Sequence, residues 1–175
     1  MSSSATWNMP EGPVVLNNTP LVALWAIGRL DLLRDLFGEV LIPQAVKTEF
    51  LAMERSSRER ALAEAPWIRS VALAQPWQAL AFTNLDRGEA EVMALAEERS
   101  ARLVVLDERK ARRFAERLEL PLTGTLGLLL SAKEAGLIES VTLWTERIRD
   151  AGLYLRADLV KRVLELAGEL PAAAP

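Results

Sequence analysis

The stretch LDRGEAEVMALAEERSARLVVLDERK, residues 85–110, predicts a turn, a helix, a buried strand and the start of a second helix. The strand is the run LVVL at residues 103–106, which is too short for a helix and contains two adjacent valines. A short apolar run rich in β-branched side chains is typical of a strand covered on both faces of a parallel sheet. The stretch therefore predicts an α/β fold.

Two acidic residues of this stretch are predicted to lie close together in the folded chain. Glu89 lies in the first turn of the predicted helix, on its apolar face, and Asp107 follows directly after the strand. In open α/β sheets, ligands bind beyond the carboxyl ends of the strands. Each residue also has a plainer explanation, because Glu89 completes a capping box with Asp86 and Asp107 can cap a helix beginning at Glu108. The stretch alone leaves both explanations open.

The composition excludes several kinds of chemistry. The chain has 175 residues, which suits one domain, and its 50% hydrophobic and 26% charged residues are ordinary for a globular protein. Cysteine and histidine are both absent, which excludes disulfides, thiol or imidazole catalysis and zinc sites built from these side chains. Any metal must therefore be held by oxygen, which favours Mg²⁺ or Mn²⁺. The net charge of −3 provides no global attraction for nucleic acid.

One domain is predicted over residues 13–170, between a flexible tail at residues 1–12 and a disordered C-terminus at residues 171–175. The first residues lack the basic and apolar regions of a signal peptide. No later stretch has the length and apolar character of a membrane-spanning helix. We therefore expect a soluble, cytoplasmic protein that has no membrane partner.

Short apolar runs alternate with amphipathic segments along the whole predicted domain. Strands are predicted at residues 14–16, 40–42, 103–106 and 120–123, with an edge strand inside residues 67–74. Helices are predicted between these strands, and a group of helices follows the last one. This alternation indicates βαβ units and a mostly parallel sheet. We therefore predict a three-layer α/β/α domain with C-terminal helices packed on it.

Polar residues fall where the predicted strands meet helices, or in the helices just after them. They are Asn17, Thr19, Glu49, Glu89 and Asp107. Clustered carboxylates repel one another, and a hard cation with several oxygen ligands relieves that repulsion. Such an ion can activate water and stabilise an in-line phosphoryl displacement.

The sequence resembles the PIN-domain ribonucleases. The closest resemblance is to a PIN-like branch catalogued as having no known function and suspected to include toxins of toxin–antitoxin pairs. The matching segments are VVLNNTPLVALWAIGRLDLLRDLFGEVLIP from residue 14, GEAEVMALA from residue 88, LVVLDERKARR from residue 103 and TGTLGLLL from residue 123. They occur in the family's order and span residues 14–168. The resemblance implies a PIN-like fold and metal-dependent cleavage of RNA.

Carried over position by position, the resemblance implies that Asn17, Glu49, Glu89 and Asp107 bind Mg²⁺ or Mn²⁺, with Thr19 supporting the first position. PIN nucleases usually carry aspartate where this chain has Asn17. An amide oxygen can bind a hard cation but adds no negative charge, and ligand charge tunes metal affinity. The alternative is therefore a weakened or inactive PIN-like module that binds RNA or a protein partner.

Basic residues follow directly after Asp107 in the sequence. Arg109, Lys110 and Arg113 are placed to hold RNA phosphates beside the metal site. The alternative is a solvated helix with ion pairs at four-residue spacing, such as Glu108 with Arg112.

Thr123 and Thr125 flank a predicted strand-to-helix turn, where free N–H groups favour a phosphate. A simple hydroxyl cap is the alternative there. The resemblance further implies a homodimer or higher homo-oligomer. For a toxin, it also implies an antitoxin protein whose helix covers the site.

Overall fold

The sheet consists of five short parallel strands, as the alternating pattern predicts. In the computed structural model, which describes residues 11–171, the strands are β1 (Val14–Leu16), β2 (Val40–Pro43), β3 (Ile68–Val71), β4 (Leu103–Val105) and β5 (Leu122–Thr123). Their spatial order is β3-β2-β1-β4-β5, and every neighbouring pair is parallel. The predicted tail at residues 1–12 and C-terminus at residues 171–175 lie mostly outside the described residues.

Helices flank the sheet and form the outer layers of a three-layer α/β/α domain. They are α1 (Asn18–Ala26), α2 (Asp31–Phe37), α3 (Gln44–Phe50), α4 (Arg55–Ala63), α5 (Arg87–Glu98), α6 (Arg109–Arg117), α7 (Thr125–Glu134), α8 (Val141–Asp150) and α9 (Ala157–Leu166). A 3₁₀ helix, Pro76–Ala81, precedes α5. Helices lie between the strands and after the last strand, as the sequence predicts.

Hydrophobic burial explains which segments became strands. Every residue of β1, β2 and β4 is buried, whereas the edge strand β3 exposes Arg69 and Ser70. Strands covered on both faces are nearly continuous apolar runs, which is why these three were visible in the sequence. Helix α5 packs on β1, β2 and α3, and its inward face is buried along most of its length.

The ends of β1 and β4 define the position of a site. Leu16 of β1 pairs with Val105 of β4, and the N–H of Asn17 donates to the Val105 carbonyl at 2.9 Å. From β1 the chain continues to β2 on one side, and from β4 it continues to β5 on the other side. Ligands of open α/β sheets bind at such a reversal of strand order. Asn17 and Asp107 therefore flank the topological switch point of the sheet.

One carboxylate forms hydrogen bonds that link the C-terminal helices to α7. Helices α8 and α9 pack on α7. Glu169, just beyond α9, accepts hydrogen bonds from Lys133 Nζ at 2.8 Å and from the backbone N–H groups of Val141 at 2.6 Å and Thr142 at 2.8 Å. Burial alone would raise the pKa of Glu169, but these hydrogen bonds outweigh it and lower the pKa to about 2.

The highly charged residues 54–64 predict an exposed helix with many ion pairs, and α4 differs from that prediction. Arg55 and Glu59 do form an exposed ion pair at 2.8 Å, but Arg58 is only 7% exposed. Its Nη1 donates to the carbonyl of Phe50 at 2.9 Å, and its guanidinium lies 4.5 Å from the ring centroid of Trp25. Burial of this charge is explained by the hydrogen bond to the end of α3 and by the aromatic face.

Within residues 11–171, no helix is long and apolar enough to cross a membrane.

Candidate functional site

Asn17 is a buried amide with an unused acceptor. It follows β1 and is 4% exposed. Its side-chain Oδ1 has no hydrogen-bond partner among residues 11–171. A buried acceptor without a partner costs free energy and therefore requires an explanation. A ligand that binds to the Asn17 oxygen at the switch point would provide one.

Asp107 follows β4 by two residues, but it does not cap the helix directly after it. Its Oδ1 accepts from the backbone N–H of Thr125 at 2.8 Å, and its Oδ2 accepts from the Thr125 hydroxyl at 2.6 Å. Helix α6 instead begins after Glu108, without a side-chain cap. The alternative of a cap on the following helix was therefore wrong. Asp107 holds the N-terminus of α7, 18 residues further along the chain.

Glu89 forms the capping box that its spacing predicted. Its N–H donates to Asp86 Oδ1 at 2.8 Å, and its Oε2 accepts from the Asp86 N–H at 3.1 Å. The residue is 8% exposed. The capping role is confirmed, but it does not exclude a second role, because a carboxylate has about four lone-pair sites.

Glu49 lies near the C-terminus of α3, against the first turn of α5. The backbone N–H of Gly88 is close enough to lower the pKa of its carboxyl, but other effects dominate. Burial, the charge of Asp86 and the charge of Glu89 together raise the pKa above its usual value. The packing of α3 against α5 therefore brings together two of the predicted acids, Glu49 and Glu89.

The pKa of Glu89 is raised as well. Burial is the largest cause, the charges of Asp86 and Glu108 add to it, and the charge of Lys110 opposes it. Glu89 therefore lies within electrostatic range of the first turn of α6. Both raised pKa values mean that ionising Glu49 and Glu89 as the pH rises reduces the stability of the folded chain.

A cation is the chemical species that would relieve this crowding. Among residues 11–171, no three acidic side chains lie close enough together to hold a metal ion. The donors nevertheless fit a hard cation in kind, because they are an unpartnered amide oxygen and two carboxylates whose charge is disfavoured. The residues that fit are Asn17, Glu49 and Glu89. Asp107, which follows the neighbouring strand β4, is bound to Thr125.

The basic residues after Asp107 lie on the surface of the domain. Arg109, Lys110 and Arg113 are all exposed, and the first two form the opening turn of α6. Lys110 is the cation within electrostatic range of Glu89.

Arg112 is a residue of the site that the sequence did not single out. It is half-buried, and its Nη1 donates to the carbonyl of Leu106 at 2.9 Å. The alternative of a solvated helix had instead paired Arg112 with Glu108. The signal available was its place on the basic helix that follows Asp107. Arg112 fixes the strand end that carries Asp107.

The three predicted hydroxyl residues occupy different places. Thr19 is exposed on the first turn of α1, and Thr123 is half-buried at the end of β5. Thr125 is only 1% exposed and uses both its N–H and its hydroxyl on Asp107. The N-terminus of α7 therefore holds a protein carboxylate at the position considered for a phosphate.

Comparison with known proteins agrees with this architecture. Neither the curated proteins nor the solved structures compared with the chain gave a match. A family model does match, DUF3368, described as a PIN domain, over residues 13–169. The match covers all strands and helices of the sheet domain together with Asn17, Glu49, Glu89 and Asp107. The chain therefore belongs to the PIN-domain family, as the resemblance implied.

Proposed function

We propose that this protein is a PIN-type endoribonuclease that depends on Mg²⁺ or Mn²⁺. The nuclease-type fold supports the general class. The observation that carries the proposal is the crowding of Glu49 and Glu89, two carboxylates that burial and neighbouring acids make harder to ionise. Carboxylates perturbed in this way are concentrated at functional sites.

The metal would be held by Asn17, Glu49, Glu89 and Asp107. A divalent cation bound there would activate water and stabilise the charge that develops on a phosphodiester. The chain's own residues do the remaining work. Arg112 fixes the strand end behind Asp107, and Thr125 orients the Asp107 carboxylate through two hydrogen bonds. Thr19 and Thr123 complete the rim of the proposed site.

RNA would be held by the first turn of α6. Arg109, Lys110 and Arg113 are exposed cations, and Lys110 lies within electrostatic range of Glu89. We propose that they bind backbone phosphates that the acids alone would repel. Because the chain has a net charge of −3, binding must depend on this local patch.

Replacing Arg109 and Lys110 together with alanine is expected to weaken RNA binding and its salt dependence. Each lost phosphate contact on a single strand should reduce the slope of log K against log salt by about 0.7. The measurement is fluorescence anisotropy with single-stranded RNA at several salt concentrations. Arg117→Ala, at the other end of the same helix, is the control. An unchanged slope in the double variant would show that the first turn of α6 does not bind RNA phosphates.

A second function is favoured by Asn17. An amide in place of the usual aspartate lowers the charge of the metal site, as expected for a catalytically weakened or inactive module that binds RNA or a protein partner.

Restoring the acid tests this alternative. Asn17→Asp is expected to raise Mn²⁺ affinity about tenfold, which corresponds to roughly 1.4 kcal/mol of added attraction. Calorimetric titration with Mn²⁺ is the measurement, with Gln75→Glu, an exposed position distant in sequence from the four proposed ligands, as the control. An equal gain in both variants, or no gain in either, would contradict the assignment of Asn17 to the metal.

The biological role follows from the resemblance to toxins. We propose a cytoplasmic toxin that acts as a homodimer or higher homo-oligomer and is silenced by an antitoxin protein covering the acidic site. Purification from cells that express the chain together with its genomic neighbours tests this partnership. A neighbour-encoded protein that copurifies and blocks cleavage is the expected result.

The deciding experiment for the nuclease is cleavage of a mixed single-stranded RNA pool. Purified protein should cut the pool with Mn²⁺ or Mg²⁺ and should stop when a chelator is added. Cleavage that persists with the chelator would refute metal dependence. RNA binding without cleavage in either metal would favour the inactive module.

A further inference from the structure

Two glycines lie directly against the acids of the site. A Cβ atom on Gly88 would stand 2.9 Å from the carboxyl carbon of Glu49 and closer still to one of its oxygens. A Cβ on Gly124 would stand 2.5 Å from Asp107 Oδ1 and 3.4 Å from the carbonyl oxygen of Leu106. Because interiors are close-packed, neither position can accept a side chain unless the carboxylate moves.

The backbone conformation does not explain why glycine occurs at either position. Gly124 has φ −131° and ψ −174°, which is extended backbone that any residue adopts. Gly88 is the second residue of α5 and is not among the glycines with positive φ in residues 11–171. Alanine is the better helix former, so helix propensity disfavours glycine at this position. The neighbouring carboxylate is the group that a side chain at either position would displace.

Because glycine has no side chain, a carboxylate can approach the backbone N–H groups in the first turn of a helix at each of these positions. The Gly88 N–H interacts with Glu49, and the Thr125 N–H that follows Gly124 donates to Asp107 at 2.8 Å. The free N–H groups of a helix start and its dipole both favour negative charge. The same local arrangement therefore occurs twice, on α5 and on α7.

We propose that Gly88 and Gly124 are positioning residues, which hold Glu49 and Asp107 in place by allowing each carboxylate to lie on a helix N-terminus. The link to metal binding rests on the proposed function, whereas the positioning itself does not.

Thermal unfolding of six chains, with and without Gly88→Ala in three backgrounds, tests the positioning. Gly88→Ala is expected to lower the melting temperature of the otherwise unchanged chain, because its methyl group displaces Glu49. In the Glu49→Ala chain the same substitution should raise the melting temperature by about 1–3 °C, since only the helix preference of alanine remains. Lys47→Ala, an exposed position on the same helix as Glu49, is the matched background and should leave the decrease unchanged.

The proposal predicts that Gly88→Ala changes the melting temperature in opposite directions in the unchanged and Glu49→Ala chains. A chain that fails to fold with Gly88→Ala alone but folds when Glu49→Ala is added would also support the proposal. Equal shifts in both backgrounds, or failure to fold in both, would overturn it. Gly124→Ala, compared in the unchanged and Asp107→Ala chains, provides a second cycle with the same expected reversal.

Mn²⁺ titration connects the positioning to the site. Gly88→Ala should weaken Mn²⁺ binding about tenfold when Glu49 is present, and no further in the Glu49→Ala chain. An equal loss of Mn²⁺ affinity in both chains would show that Gly88 does not act through Glu49. If the unchanged chain binds no Mn²⁺, the proposed function fails, and the melting temperatures still decide whether the two glycines position the carboxylates.

Discussion

Glu89→Gln is expected to reduce metal-dependent RNA cleavage about 100-fold or more while leaving the fold intact. Glutamine is accepted at this position of a capping box, so its amide oxygen can still accept the Asp86 N–H. The substitution therefore removes the negative charge and keeps the hydrogen bond. Removing groups that only orient metal ligands already costs about 10–100-fold, so loss of a ligand's charge should cost at least as much.

The measurement is the initial rate of cleavage in saturating Mn²⁺, together with the melting temperature of each variant. Glu97→Gln, an exposed position on the same helix, is the control and should retain the activity. Glu89 is a better test than Asp107, because removing Asp107 also removes two hydrogen bonds to the start of α7. A Glu89→Gln protein that cleaves at the original rate would show that Glu89 acts only as a cap.

Glu169→Gln is expected to lower the free energy of unfolding by about 3 kcal/mol at neutral pH. The pKa of this carboxyl falls from 4.5 to about 2 on folding, and each tenfold change in its acid dissociation constant corresponds to about 1.4 kcal/mol. The side chain is only 13% exposed, so solvent screens its interactions weakly. For a domain of this size, the loss should lower the melting temperature by about 6–12 °C.

The pH dependence of this contribution has a definite sign. Because the folded pKa is depressed, the stabilisation is fully present above pH 4.5 and is lost as the pH falls towards 2. Denaturant unfolding at several pH values should therefore show a smaller acid-dependent loss for Glu169→Gln than for the unchanged chain. Glu139→Gln, an exposed position before α8, is the control. Parallel pH profiles for all three chains would rule out Glu169 as the anchor.

The sheet could be predicted because its signals are local. The runs at β1, β2 and β4 are short, wholly apolar and bounded by polar or proline residues, so each strand is visible without knowledge of its neighbours. The capping box of α5 is likewise contained in four consecutive residues, and it formed as its spacing predicted. Strand order could be anticipated only through the family resemblance.

The missed features depend on residues far apart in the chain. The spacing allowed Asp107 to cap the next helix, yet it pairs with Thr125 because β5 brings the start of α7 to the edge of β4. Arg58 looked like one charge of an exposed helix, since no local pattern indicates that the carbonyl of Phe50 and the ring of Trp25 surround it. Propensity and spacing do not contain this information.

Several acidic side chains of this protein accept hydrogen bonds at helix N-termini, and this affects how the sequences of its relatives should be compared. Glu89 caps α5, Asp107 caps α7, and Glu91 accepts from the backbone of Ala45 at the start of α3 at 3.0 Å. Selection for a stable fold alone would preserve a hydrogen-bond acceptor at each of these positions in a chain that had lost all activity. Asn17 Oδ1, by contrast, has no structural partner within residues 11–171. Residue 17 is therefore the position whose identity should separate active from inactive relatives.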